Sequence, residues 1–106
     1  MFQPSIEIDT NALIQTAHSL KAIAHPIRLA MVELLKKGEQ LNVTEIYETL
    51  GLEQAVASQH LGVLRERNIL KATRNGKHTF YSLRHPCVVD VIELMLSTLN
   101  EAEAGE

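Results

Sequence analysis

Two amides and a hydroxyl stand close together near the middle of the chain. Gln54, Ser58 and Gln59 belong to the run QAVASQHLGVLRER, and helical spacing places them on one side of a helix, with Leu61 and Leu64 on the other. A glutamine amide donates and accepts hydrogen bonds together, as an adenine edge requires, and a serine hydroxyl can bond to bases or phosphates. Exposed glutamines can also simply solvate a helix, and spacing alone slightly favours that interpretation.

Two alternating runs follow on either side of Asn75-Gly76, within ILKATRNGKHTFYSL. Asn-Gly is well suited to a two-residue turn with positive backbone angles. The segment is therefore predicted to fold back as a two-stranded ribbon, with Arg74, Lys77 and His78 at its tip. Cations there can contact phosphates, although cations at hairpin tips also serve solubility.

A short helix, a second helix and a charged ribbon, in that order, are typical of a winged helix-turn-helix. The chain resembles the ArsR/SmtB family of bacterial transcriptional repressors in the runs HPIRL, SQHLGVLRE and the wing ending in FYSL, across roughly Leu20 to Leu96. The resemblance implies a mainly α (α+β) fold of five helices with a two-stranded β wing, dimerising through the first and last helices. It also reverses the interpretation of the glutamines, which become the leading candidates for base contacts.

These considerations predict one domain over residues 1–106. Its dimerisation helices are expected at about 10–24 and 86–100, its helix-turn-helix at about 43–67 and its wing at about 69–83. The predicted base contacts are Gln54, Ala55, Ser58 and Gln59. The predicted phosphate contacts are Thr44, Arg65, Arg74, Lys77 and His78.

The charge of the chain is unevenly distributed. The net charge is −3, which by itself argues against a nucleic-acid partner. Residues 53–84, however, hold six Lys and Arg and two acids, a net +4, which leaves −7 for the rest of the chain. A basic surface on an acidic body suits a protein that meets double-stranded DNA with one face only.

Local signals place the other helices. Asp9 or Thr10 can cap the first helix, and Pro26 suits the first position of the second, which should end with two lysines before Gly38. Asn42 and Glu45 have capping-box spacing for a third helix, and the preceding residues can form a short strand that pairs with the wing.

Several other residues are interpreted as structural. His25 and Arg28 should order the entry to the second helix, and His60 should be a partly buried packing residue. Asn68 suits a left-handed helix exit. Gly62 is unexpected, since glycine inside a helix costs about 1 kcal/mol relative to alanine.

The first and last helices carry apolar stripes broader than a small domain can cover, which predicts a homodimer. In the family these two helices pair between subunits. The predicted interface residues are Leu13, Ala17, Leu20, Val88, Ile92, Met95 and Leu99.

No enzyme and no cofactor are expected. The sequence has no Gly-rich phosphate loop, nucleophile elbow or HExxH pair. The alternative to a sequence-specific DNA-binding repressor is a winged helix that serves only as a protein-interaction module. Such a module should expose apolar residues or acids on the second helix of its helix-turn-helix, whereas this chain has Gln and Ser there and cations in the wing.

Metal binding is not expected either. Relatives often bind metal through a Cys-x-Cys pair, but the matching positions here are Asn42 and Thr44. A second family site at the dimer interface aligns with His85, Cys87, Thr98 and Glu101, of which the threonine breaks the ligand set. The favoured interpretation is that His85 lies at a helix entry and that Cys87 is a small interface hydrophobe, so the effector stays unknown.

The N-terminal run MFQPSIEIDT lacks the basic residues of a signal peptide, and acids interrupt the apolar late stretch. Membrane spanning and secretion are therefore not indicated. A single cysteine suits a reducing compartment, and the expected location is the bacterial cytoplasm.

Overall fold

The computed structural model describes residues 3–104, and side chains as far as residue 101. Within this range the chain forms five helices and three short strands. The helices are α1 (Thr10–Ile23), α2 (Pro26–Leu34), α3 (Val43–Leu50), α4 (Gln54–Glu66) and α5 (Cys87–Ala104). The strands are β1 (Leu41–Asn42), β2 (Leu70–Asn75) and β3 (His78–Leu83).

Side-chain caps define where the early helices begin. The Asp9 carboxylate accepts the Ala12 N–H at 3.0 Å at the start of α1. At the start of α2, Nδ1 of His25 accepts the Ile27 N–H at 3.1 Å, just ahead of Pro26 at the first helical position. These bonds satisfy amides that have no partner within their helix, which confirms the predicted starts.

The second helix ends earlier than predicted. Its last residue is Leu34, so Lys36 and Lys37 lie in the turn that leads to Gly38 and not in a helical last turn. The ammonium of Lys36 lies 3.0 Å from the Glu33 carboxylate and 3.7 Å from that of Glu93 on α5. This lysine therefore links the end of α2 to the last helix.

The start of α3 follows the predicted capping chemistry, and its end is fixed by a glycine. Asn42 and Glu45 form a reciprocal capping box, with N···O distances of 2.9 and 3.0 Å. Gly51 ends the helix with φ +67°, a left-handed angle that glycine adopts without steric cost. The chain then turns directly into α4, which gives the helix-turn-helix.

The sheet has three strands in the order β1-β3-β2, which are the two strands of the predicted wing and the short strand that was predicted to pair with it. The additional strand is the short run before α3, where Leu41 pairs with Tyr81 and Asn42 with Phe80. We call β2, β3 and the turn between them the wing (residues 70–83).

The turn of the wing lies one residue further along than predicted. Asn75 pairs with His78, so the loop is Gly76-Lys77. Only Gly76 of these four has a positive φ, +65°, which is typical of a type II′ turn with glycine at its first central position. This register places Leu70 opposite Leu83, so that two apolar side chains pair on the core side of the wing.

The core forms where α2, α3 and α4 meet the base of the wing. Its largest fully buried side chains are Met31, Val32, Leu35, Ile46, Leu61, Leu64 and Leu70. Val32 and Leu35 point inward, and Leu29 is packed at the edge of the cluster. At the exit of α4, Asn68 adopts φ +60° as expected, which turns the chain into the wing.

Candidate nucleic-acid interface

The helix α4 has one fully buried face and one exposed face. Ala57, Leu61 and Leu64 have no solvent exposure, and His60 is 9% exposed. The exposed face carries all four predicted base contacts, Gln54, Ala55, Ser58 and Gln59. The core thus fixes the rotation of α4 about its axis, and this rotation presents the amides to solvent together. We call α4 the reading helix.

The N-terminus of the reading helix has no side-chain cap. Glu53 occupies the capping position but makes no hydrogen bond to the helix, as expected of a poor capping residue. The first amides of α4 are therefore free of any side-chain acceptor from Glu53, and free amides at a helix start can donate to a phosphate.

A partly buried cluster connects the reading helix to α2. The Arg28 Nε–H donates to Nδ1 of His60 at 3.0 Å, and one Nη1–H donates to the Ala22 carbonyl at 3.0 Å. The His25 ring lies 4.5 Å from the His60 ring, centroid to centroid. Burial lowers the pKa of His60, and the neighbouring His25 and Arg28 lower it further. These contacts confirm the structural roles predicted for the three residues.

The wing presents its cations at the far end of the ribbon. Arg74, Lys77 and His78 are all exposed. The Nε–H of Arg74 donates to the Gly76 carbonyl at 3.0 Å, which holds that side chain over the turn. His78 lies edge-on to Phe80, with ring centroids 6.3 Å apart.

The two remaining predicted phosphate contacts lie on helices. Thr44 is exposed in the first turn of α3, and Arg65 is exposed in the last turn of α4. Arg65 is eleven residues beyond Gln54, or about 16 Å along the helix, so it belongs to the opposite end of the reading helix. Among the described residues, no ion pair involves Arg65, Arg74 or Lys77, whose charges are therefore available to phosphates.

The predicted phosphate contacts leave out two exposed residues of β2. Lys71 and Thr73 alternate with Arg74 along the strand, so they point to the opposite side of the wing. The alternation of side chains along β2 already predicts that Lys71 and Thr73 point away from the side of Leu70, which marks the core.

Apolar side chains of α1 and α5 are left exposed. Leu13 and Leu20 are about half exposed, while Leu94, Met95 and Leu99 are exposed by 60% or more. Ala17 is exposed as well, and an apolar groove between the two helices is lined in part by Leu20, Val88 and Val91. We call this surface the apolar face (Leu13, Ala17, Leu20, Val91, Leu94, Met95 and Leu99).

Two residues predicted for the dimer interface are covered wholly or partly within one chain. Ile92 is 6% exposed and belongs to the core of its own chain, and Val88 is partly buried against that core. Ile92 therefore packs mainly within its own chain, because α5 uses one stripe to attach itself to α2 before it can offer another. Val91 and Leu94 take its place.

The candidate metal ligands are spread along α5. His85 and Cys87 are exposed near its start, whereas Glu101 lies fourteen residues after Cys87, about 21 Å along the helix. The Thr98 hydroxyl donates to the Leu94 carbonyl at 3.0 Å. Among residues 3–101, no three His, Cys, Asp or Glu side chains gather in a way that could hold a metal ion. The Asn42 amide is likewise engaged in its capping box. Within one chain, these residues do not fit a metal site.

In the part of the chain that the structure describes, every helix is too short or too polar to cross a lipid bilayer.

The arrangement is similar to that of known transcriptional repressors. A family profile described as a helix-turn-helix domain matches residues 23–72. The transcriptional repressor PagR of Bacillus anthracis is 40% identical over 89 residues, which cover 84% of this chain and 89% of PagR. The regulator NmtR of Mycobacterium tuberculosis is 35% identical, over 86% of this chain and 75% of NmtR.

Solved structures extend the similarity to nearly the whole chain. The PagR crystal structure superposes with a TM-score of 0.74, covering 82% of this chain and 99% of PagR. The homodimeric winged helix-turn-helix DNA-binding domain of Mb0332 from Mycobacterium bovis is 25% identical and superposes with a TM-score of 0.79, covering 97% and 96% of the two chains. The predicted winged helix-turn-helix fold is thereby confirmed.

Proposed function

We propose, since this chain belongs to the ArsR/SmtB family of winged helix-turn-helix regulators, that two copies of it bind a pseudo-palindromic operator and repress transcription by occluding a promoter. The protein is a DNA-binding transcriptional repressor and not an enzyme, like its relatives.

One observation carries the assignment to DNA. The reading helix exposes two glutamines and a serine on a single face, while its other face is fully buried. The exposed side chains can hydrogen-bond to base edges in a major groove, and the buried ones keep α4 rigid while they do so. Free cations of the wing and the end of α4 supply the attraction to phosphates.

The rival function, a winged helix that binds only other proteins, has no support on this surface. The exposed large hydrophobic side chains of the described residues lie on α1, α5 and the segment before α1, and none lies on α4 or in the wing. An apolar protein partner would find few contacts there, whereas a phosphate backbone would find several cations.

Association through the apolar face gives the dimer its two reading helices. Exposed leucines and a methionine on α1 and α5 lie on one surface, and clustered exposed apolar side chains mark interaction sites. In a two-fold dimer the same patch on each copy is covered at once. The homodimeric Mb0332 domain provides a precedent on a related fold. The proposal places the protein in the cytoplasm, because the operator that it binds lies in that compartment.

Selection of bound duplexes from a random pool tests the proposal directly. We expect enrichment of an inverted repeat whose half-sites are centred about 10 base pairs apart, or a multiple of that spacing. Enrichment of no sequence, with equal affinity for every duplex, would contradict sequence-specific repression.

A further inference from the structure

A positively charged cleft opens between α1, α2 and the end of α4, away from the base-reading end of α4. Its volume is about 360 Å³, within the range of small-molecule sites. It is lined by His18, Lys21, Ala22, Arg28, Val63 and Arg67. Three of these six side chains are cationic, one is a histidine, and none is acidic.

The cleft concentrates positive charge in the acidic part of the protein. Outside residues 53–84 the chain has four Lys and Arg against eleven acids, and two of those four, Lys21 and Arg28, line the cleft. Of the other two, Lys36 is neutralised by Glu33 and Glu93. Among the described residues, no carboxylate lies within ion-pair distance of a cation of the cleft. The cations of the cleft are therefore free of direct ion pairs with the described residues.

Arg28 is held in place before any ligand arrives. Its Nε–H bonds to His60 and one Nη1–H bonds to the Ala22 carbonyl, both at 3.0 Å. A guanidinium has five N–H donors, so three are left for a further partner. Because two bonds already fix the group, little conformational entropy is lost when it binds an anion. The pKa of the adjacent His60 is lowered by burial and also by His25 and Arg28, as expected where the local potential is positive.

Helix termini explain only part of this arrangement. Lys21 lies in the last turn of α1, and Arg67 follows the last residue of α4, where cations interact favourably with helix carbonyls. Arg28 also donates to the Ala22 carbonyl in the last turn of α1, but three of its five donors stay free, and His18 in the middle of α1 has no helix end beside it. Convergence of cations from three helices indicates a binding site for negative charge.

We propose that this cleft binds a small oxyanion, a ligand that carries a phosphate or carboxylate group. Arg28 supplies the fixed fork of donors, while Lys21 and Arg67 close on the ligand from α1 and from the end of α4. A bound anion joins a helix of the apolar face to the reading helix, so it can change the angle between them and thereby the affinity for the operator. This regulatory step rests on the proposed function, whereas the binding step does not.

Nuclear magnetic resonance of the uniformly ¹⁵N-labelled full chain tests the binding step without DNA. Inorganic phosphate and succinate are titrated separately at constant ionic strength, balanced with sodium chloride. We expect saturable shifts of the Lys21 and Arg67 amides and of the Arg28 Nε–H. The stronger of the two probes identifies the oxyanion class.

Two double variants make the test specific. Lys21→Gln with Arg67→Gln should weaken binding about tenfold or more, because the anion then has two fewer charged donors. Lys37→Gln with Arg84→Gln removes the same charge from exposed positions outside the cleft, and it should leave binding unchanged.

Three results would overturn the proposal. The first is the absence of specific binding, seen either as linear, non-saturating NMR shifts spread over all cations or as an equal effect of both double variants. The second is a lower DNA affinity and salt dependence of the cleft variant without any free-anion binding, which would make the cleft a DNA phosphate contact. The third is a weaker dimer without anion binding, which would assign the cleft to acids of the second copy. A failure to find an operator would leave the binding measurement intact.

Discussion

The Nε–H of Arg28 donates a hydrogen bond to Nδ1 of His60 at 3.0 Å, across 32 residues of sequence. This bond joins α2 to the buried side of the reading helix. Because Nδ1 accepts the hydrogen bond, the ring is neutral in the folded protein. Protonation of Nδ1 would remove the bond and place a second positive charge beside that of Arg28.

Stability should therefore fall in mild acid. The folded-state pKa of His60 is lowered from its ordinary value of 6.5, so folding is unaffected by this group above about pH 6.5. As the pH falls below that value the unfolded chain takes up the proton first, and the free energy of unfolding decreases until the pH has passed through the lowered pKa. Urea unfolding of wild type at pH 7.5 and 5 measures the loss.

The variant His60→Asn keeps an acceptor near Nδ1 but cannot titrate. It should be less stable than wild type at pH 7.5, yet should lose less stability on going to pH 5. His78→Asn makes the same change at an exposed position of the wing and should keep the wild-type loss. An identical loss in wild type and His60→Asn would show that other groups set the acid sensitivity.

Gln54→Ala and Gln59→Ala should each weaken binding to the selected operator by about 1 to 3 kcal/mol while barely changing binding to random duplex DNA. The reason is that an amide removed from a base edge affects only the sequences that it reads. Fluorescence anisotropy with both DNAs at one salt concentration gives the two affinities. Gln40→Ala, an exposed glutamine outside α4 and the wing, is the matched control. Equal reductions on both DNAs would remove these residues from base reading.

Lys77→Gln should reduce the slope of log affinity against log salt by roughly 1 for each phosphate that is no longer neutralised. Lys77 is the cleaner test of the wing, because Arg74 also bonds to the Gly76 carbonyl and its replacement would disturb the turn. Lys37→Gln removes an equal charge from the turn after α2 and should leave the slope unchanged. If the slope of Lys77→Gln equals that of wild type, the wing tip is only solvated.

Leu99→Glu should give folded monomers with greatly weakened operator binding. The side chain is 60% exposed in one chain, so a charge there spares the core but cannot be buried between two copies without several kcal/mol of desolvation. Sedimentation velocity and far-ultraviolet circular dichroism report association and folding separately. Ser97→Glu adds the same charge on the other side of α5 and should remain dimeric. A Leu99→Glu dimer with full affinity would contradict the proposed interface.

Gly62→Ala should raise the free energy of unfolding by up to about 1 kcal/mol, since alanine favours the helix. A Cβ at this position meets no atom within 4 Å, so no clash opposes the gain. Gly51→Ala is the matched control: the surrounding space is equally open, but φ is +67° and the side chain would strain the backbone. We expect thermal unfolding to shift upward for Gly62→Ala and downward for Gly51→Ala. Stabilisation by both would mean that the left-handed angle at Gly51 is not required.

The sequence by itself determined the features that arise from neighbouring residues. The capping box of Asn42 and Glu45, the left-handed stops at Gly51 and Asn68, and the start of α2 at Pro26 all depend on interactions within a few residues. Helical spacing likewise separated the buried and exposed sides of α4, because one rotation satisfies every apolar residue of that helix.

Only the tertiary structure decided the features that depend on distant partners. Asn75-Gly76 was a plausible turn, but pairing Leu70 with Leu83 requires the loop to be Gly76-Lys77. The stripe of α5 was too broad to show which residues face the chain's own core, and packing on α2 buried Ile92 while leaving Leu94 exposed. The bond between Arg28 and His60 joins residues whose proximity no local pattern encodes, since it exists only after α2 and α4 have packed together.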